Sequence, residues 1–336
     1  MCAPQSRQSG AMPEVISIAT QNILSPVILC FILGLAAALG RSDLSIPEAA
    51  AKMLSIYLLF AIGFKGGVSV AGHGMDATLG ATLLAGVVLS SLLPFVAYAL
   101  IRLLTRLDRM NAAAVAGHYG SISIVTFLAA SALLSQRNDQ AEGYMVAVAA
   151  AMEAPAILST LWLVSRNGRS RVDGALLREI MLNGSIVLLI GSFLIGWVTG
   201  AQGMNKIQPF IGAPFQGVLC LFLLDMGLIA GRGLRRSYRS LGFGALAFGM
   251  LMPLVGSAFG LAAAMLLGLS LGGTVLMMVL AASASYIAVP AAMRVALPEA
   301  NPSIYLTLSL GVTFPFNLAV GIPIYYAAAL AVTGGT

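Results

Sequence analysis

Two short stretches of this chain hold residue types that bind small anions without a formal positive charge. They are G-H-Y-G-S-I-S-I-V-T (117–126) and S-A-S-Y-I-A-V-P (283–290). Both sit in the middle of long apolar runs, and both place a tyrosine beside small hydroxyl residues. Glycine and proline let a helix backbone open inside a bilayer, and Ser or Thr side chains satisfy the freed groups. A half-helix that starts at such an opening presents unpaired N–H groups and the positive end of its dipole. Two facing openings therefore form an anion site. The first supplies Tyr119, Gly120, Ser121, Ile122, Ser123 and Thr126, and the second Ser283, Ala284, Ser285 and Tyr286, followed by Pro290. Taken singly, each stretch reads as small residues easing helix packing; as a pair at corresponding positions they read as a site. Neither contains arginine, the usual bidentate clamp for carboxylate and phosphate. That points to a small, weakly charged anion held by N–H dipoles and hydroxyls, with Arg294, at the end of the second run, the basic residue placed to reach inward.

The acids inside apolar runs are few, and a charge at the bilayer centre costs about 2.5–3.5 kcal/mol on insertion scales. Glu153 lies in A-A-M-E-A-P-A, two residues before Pro155. The proline frees a backbone carbonyl one turn back, and a carboxylate beside a bare carbonyl suits a hard cation. The corresponding stretch of the second half, G-V-T-F-P-F-N (311–317), adds Thr313 and Asn317, and Ser283 completes an expected Na⁺ or H⁺ site. Asp225 in L-L-D-M-G reads as a structural acid paired with Lys65 or another basic residue. His118 reads either as a proton carrier or as a neutral, hydrogen-bonded side chain. His73 falls in a loop.

The elements that must position these groups follow from composition. Hydrophobic residues make up 59% and charged residues 9% of 336, with mean hydropathy +0.95 and 37 glycines. Soluble domains carry about 25% charged residues, so the solvent for this chain is lipid. Ten segments are long and apolar enough to cross a bilayer: 23–40, 47–64, 79–101, 111–134, 143–164, 181–200, 207–230, 239–268, 272–296 and 302–331. The fold class is an all-α membrane protein of ten transmembrane helices, with helices four and nine discontinuous. Fourteen of the 18 basic residues fall in odd-numbered connections; the other four are Arg7, Lys65, Arg137 and Lys206. Cytoplasmic loops are enriched in Lys and Arg, so both termini are expected outside. Residues 1–22 form a polar leader, 23–165 a first set of five helices, 166–180 a cytoplasmic connection and 181–336 a second set. Cys2, Cys30 and Cys220 show no metal or disulfide spacing.

The two sets echo each other at an offset near 160. Ser25 and Gly40 align with Ser185 and Gly200, Pro94 with Pro253, and E-A-P (153–155) with T-F-P (313–315). Five is odd, so the second copy enters the membrane upside down, as in the inverted repeats of secondary transporters.

Several stretches resemble the sodium-dependent bicarbonate transporter family, best known from cyanobacteria. They are L-S-P (24–26), A-A-L-G-R-S-D-L-S-I-P-E (37–48), I-G-F-K-G-G (62–67), G-H-Y-G-S-I-S (117–123), M-E-A-P-A (152–156), P-E-A-N-P-S-I-Y (298–305) and G-V-T-F-P-F-N-L-A-V-G-I-P (311–323). The resemblance implies an elevator-type architecture in the bacterial inner membrane. Helices one, two, six and seven would form a gate domain, and three to five with eight to ten a mobile core, in a homotrimer. It implies bicarbonate between the breaks of helices four and nine, with Na⁺ nearby. Gly120, Ser123 and Thr126 match the first break of the family and Ser283, Ser285 and Pro290 the second. Glu153 stands where cyanobacterial members carry Asp. At the second break those members read Ser-Ser-Ser-Ser-Asp, against A-S-A-S-Y (282–286) here, so Tyr286 replaces an acid of the sodium site. They also carry a longer central insert, and its shortness here weakens transfer of a PII-type regulatory partner.

Other function classes fare worse. The chain has no H-E-x-x-H motif and no pair of intramembrane aspartates, so an intramembrane enzyme is not expected. An anion channel remains a rival because broken helices also line pores. So does a carrier of another small monocarboxylate or organic anion, coupled to Na⁺ or H⁺. No organic cofactor is expected.

Overall fold

The computed structural model describes residues 24–73, 77–165, 178, 182, 184–237, 242–286, 289–290, 293, 297 and 299–334. The polar leader and nearly all of the central connection lie outside them. Among the described residues every regular element is helical. Eight stretches are long and apolar enough to span a bilayer, and Pro26–Leu39 and Leu271–Ala282 are shorter apolar helices. Each of the ten expected segments is thus represented.

The first three elements are α1 (Pro26–Leu39), α2 (Glu48–His73) and α3 (Ala77–Leu104). The helix α2 runs beyond the expected end at residue 64, carrying Lys65 inside it. That is tolerable because the Lys65 ammonium lies over the Phe215 ring, 4.5 Å from its centroid, a favourable cation–π placement. The fourth segment is two helices, α4 (Arg109–Gly120) and α5 (Ile124–Gln136). Asp108 caps α4, accepting from the Met110 and Asn111 amides at 3.0 Å. The fifth segment is also two, α6 (Met145–Ala151) and α7 (Glu153–Ser165), interrupted at Met152. Pro155 has no N–H to offer the Ala151 carbonyl, which accounts for the interruption.

In the second half, α8 (Gly184–Ile211) runs from the expected sixth segment through the connection after it and into the first residues of the expected seventh, bending at Gly200. Gly200 has φ 54° and ψ −148°, a region that only glycine enters without strain. Then come α9 (Pro214–Ser237), α10 (Phe243–Leu267) and α11 (Leu271–Ala282). The tenth segment begins as α12 (Pro302–Leu306) and widens into π turns over Thr307–Thr313. It returns to α-helix at α13 (Phe314–Phe316), widens again over Asn317–Gly321 and ends as α14 (Ile322–Thr333). The missing N–H of Pro315 leaves the Gly311 carbonyl without its α-helical partner, and π turns absorb such a mismatch.

Helix pairing is intimate between the halves. The helix α1 packs along α9, and α2 along α8. A methyl on Gly34 would fall 2.1 Å from the Leu224 carbonyl oxygen, and one on Gly196 2.1 Å from that of Phe64. Backbones thus touch in both pairs, the small-residue mode of association in lipid. Arg232 and Arg235 on α9 donate to the carbonyls of Leu44 (2.8 Å) and Ala38 (3.2 Å), tying down the end of α1. The remaining helices pack on one another through α3–α4, α10–α11, α3–α10 and α4–α7 contacts and enclose the densest part of the core.

Candidate functional site: two crossing helix breaks

The chain stops being helical at the same place in both halves. After Gly120, Ser121 is extended (φ −91°, ψ 162°), and helix resumes only at Ile124. After Ala282, Ser283 is extended (φ −88°, ψ 165°), and residues 283–286 are non-helical. The two breaks touch. The Ser123 amide donates to Ser283 Oγ at 2.9 Å, across 160 residues of sequence. The Ser285 amide donates to the His118 carbonyl at 2.7 Å. Two extended segments therefore lie against each other in the middle of the protein, and Gly120 to Thr126 and Ser283 to Tyr286 are all buried.

The hydroxyls at the junction are unevenly satisfied. Ser123 Oγ accepts from the Thr126 amide (3.2 Å) and from Thr126 Oγ1 (2.9 Å). A hydroxyl has two lone pairs and one proton, so the Ser123 proton is left to donate. Ser283 Oγ accepts from Ser123 and donates to the Leu280 carbonyl at 3.0 Å, so its proton is committed. Ser285 Oγ accepts only a long 3.5 Å contact from the Val289 amide. The Tyr286 hydroxyl is buried beside Ser123 and has no hydrogen-bond partner. The junction thus presents spare O–H donors at the N-terminus of α5, where dipole and free amides also favour negative charge.

Neighbouring helices hold this geometry. On the first break, Ser121 Oγ donates to Glu153 Oε2 at 2.9 Å. Ser90 Oγ donates to the Met152 carbonyl at 2.5 Å, satisfying a group at the α6–α7 interruption. On the second break, Asn317 Nδ2 donates to the Ala282 carbonyl (3.0 Å) while its Oδ1 accepts from Tyr325 (2.8 Å). Thr313 donates to the Gly249 carbonyl at 2.6 Å and accepts from Tyr119 at 2.7 Å.

The expected residues therefore divide. Ser121, Ser123, Thr126, Ser283, Ser285 and Tyr286 are brought together at the junction. The Tyr119 hydroxyl points away to Thr313, and its ring packs edge-on to Phe248. Ile122 and Ala284 are core side chains, and Gly120 makes room for Pro94, whose Cγ would lie 2.3 Å from an added methyl. Glu153 is tied to the first break; Asn317 is tied to the second, and Thr313 instead joins the Tyr119 hydroxyl of α4 to the Gly249 carbonyl of α10. Thr313 and Asn317 both keep one lone pair, so either can join a cation only while it also holds the backbone. Among the described residues no three His, Cys, Asp or Glu converge on one point, so a cation here must be held largely by neutral oxygens. Asp225 is buried with Arg232, seven residues on, as the charge acting on it, and Lys65 goes to Phe215. Arg294 lies outside the described residues, and His73, expected in a loop, is instead the last residue of α2. The bridging roles of Ser90, Tyr325 and the His118 carbonyl have no signature in sequence, because each depends on a partner from another helix.

Residues 26–330 match the family profile of the Na⁺-dependent bicarbonate transporter superfamily. The chain belongs to that superfamily. The match spans both breaks, Glu153, Thr313 and Asn317. A comparison with curated proteins gave no match. Membership in the Na⁺-dependent bicarbonate transporter superfamily agrees with the apolar helices, makes this a membrane protein of a transporter family, and points to sodium as the coupling ion.

Proposed function

We propose that this chain is a secondary transporter that carries bicarbonate with Na⁺ across the bacterial inner membrane, with the anion bound where the breaks after Gly120 and Ala282 cross. The observation that carries the reading is the donor surplus at the junction. Ser123, Ser285 and Tyr286 have O–H groups without acceptors, beside the start of α5, and no fixed charge stands among them. Such a site suits a small monovalent oxyanion, whose lone pairs the donors fill. Release stays feasible because no arginine clamps the ligand. Glu153, one oxygen bonded to Ser121, is the charge that links a cation to the same break.

The packing supports an elevator-type division. The pairs α1–α9 and α2–α8 would form the frame, and the helices that carry both breaks the moving part. Each frame pair takes one helix from each half, which fits two inverted repeats. The bias of basic residues toward the odd-numbered connections supports a topology with both termini outside the cell.

Uptake of labelled bicarbonate into proteoliposomes, with and without an inward sodium gradient, tests the reading. Saturable accumulation driven by the gradient is expected, and Glu153→Gln should abolish the sodium dependence while leaving folded protein. Uptake that never exceeds equilibrium would make the protein a channel. Competition by formate or acetate stronger than by bicarbonate itself would assign it to another small monocarboxylate.

A further inference from the structure

His118 is fully buried in α4, two residues before the first break. Its Nδ1 lies 2.6 Å from the Ala114 carbonyl oxygen. A carbonyl only accepts, so Nδ1 carries the proton and Nε2 is the bare nitrogen of the neutral ring. Nε2 is buried with no hydrogen-bond partner. Leaving a buried acceptor unpaired is costly, and such groups in native structures call for an explanation. The ring stacks on Tyr305, with centroids 4.4 Å apart. The backbone of the same residue accepts from Ser285 in the second break. His118 is therefore mechanically part of the junction, while its side chain is used by nothing described above.

Among the described residues, the groups around it leave the imidazole as the titratable nitrogen base of this region. Of the elements packed against α4, α12 brings Tyr305 onto the ring and α7 brings Glu153, bonded to Ser121. The helix α3 carries Tyr98 and Arg102, while α11 and the turns over Thr307–Thr313 carry no titratable side chain. Arg109 and Tyr119 share α4 itself.

We propose that His118 is a proton-binding site coupled to the anion site, so that anion and proton are taken up together. The inference rests on the anion site proposed above. A proton from solution adds to the Nε2 lone pair; the ring gains a positive charge and a second N–H, and no other bond changes. That charge, in a low-dielectric interior next to the break, holds the anion, and the bound anion holds the proton. Linkage makes the two effects equal.

The chain has two histidines, His73 and His118, which makes the test direct. Protein labelled with ¹⁵N-histidine, purified through a histidine-free tag, gives ring signals that His73→Gln reduces to those of His118. These are followed from pH 5 to 8, with and without bicarbonate, its concentration fixed at each pH against CO₂ loss. Coupling factors of this kind are about fivefold or more, so bicarbonate should move the His118 midpoint upward by about 0.7 pH unit or more. In transport, His118→Gln should flatten the pH dependence of the bicarbonate KM. A His118 signal that never titrates, or titrates at the same pH with and without bicarbonate, overturns the proposal. Thermal stabilisation by bicarbonate, measured in parallel on the same protein, separates the two ideas. Stabilisation with an indifferent His118 leaves the anion site standing, and no stabilisation removes the anion site as well.

Discussion

Asn317 offers the sharpest test of how the second break is held. Its amide donates to the Ala282 carbonyl, the last of α11, and accepts from Tyr325, and all three residues are buried. Asn317→Ala strands both partners in the interior. Each stranded group costs about 1–3 kcal/mol, so the loss should be about 2–6 kcal/mol. Against a total stability of about 5–15 kcal/mol for a typical protein, that is a severe change. Asn317→Asp separates two roles. An ionised aspartate keeps the shape and the acceptor for Tyr325, and it would serve a sodium ion at least as well as the amide. It has no N–H for Ala282 and sets an oxygen against that carbonyl. If Asn317 acts chiefly by holding the break, the Asp variant should melt well below wild type in detergent and lose uptake at every sodium concentration. Wild-type melting with undiminished or strengthened sodium dependence in the Asp variant would refute this reasoning and make Asn317 a cation ligand first.

Gly120→Ala would push a methyl to 2.3 Å from Pro94 Cγ and 2.9 Å from the Ala156 Cβ. Neither neighbour can rotate away, so about 1–3 kcal/mol of overpacking and a displaced first break are expected. Gly217→Ala, with nothing within 4 Å, should melt and transport like wild type. Asp108, outside the membrane spans, supplies a pH-dependent stability term. Burial raises its carboxyl, but the hydrogen bonds from the Asn111 amide and side chain and the Met110 amide outweigh this, so its value lies below the ordinary aspartate range. A depressed carboxyl stabilises the fold above the unfolded-state value, and that contribution fades as pH falls through the folded one. Asp108→Asn, which keeps a capping oxygen, should remove that part of the acid sensitivity of the melting temperature. An unchanged acid limb would contradict it.

The membrane class, the ten segments and the places where the chain opens were legible in sequence because they depend on local chemistry. Twenty apolar residues choose lipid wherever they occur, proline always lacks its N–H, and Gly-Ser clusters weaken any helix. The openings at 121–123 and 283–286 follow from those rules; the interruption before Pro155 has the same cause, but in sequence 143–164 reads as one span. The continuation of α2 past Lys65 did not, because its cause is the Phe215 ring on another helix. Nor did the division of labour among the site residues. Tyr119 and Tyr286 look alike in sequence, each a tyrosine beside serines. Only packing turns the first hydroxyl to Thr313 and leaves the second unpaired at the junction. Sequence lists donors and acceptors; which of them remain free is a property of the pairs formed between α4, α7, α11 and the tenth segment, and those pairs exist only in three dimensions.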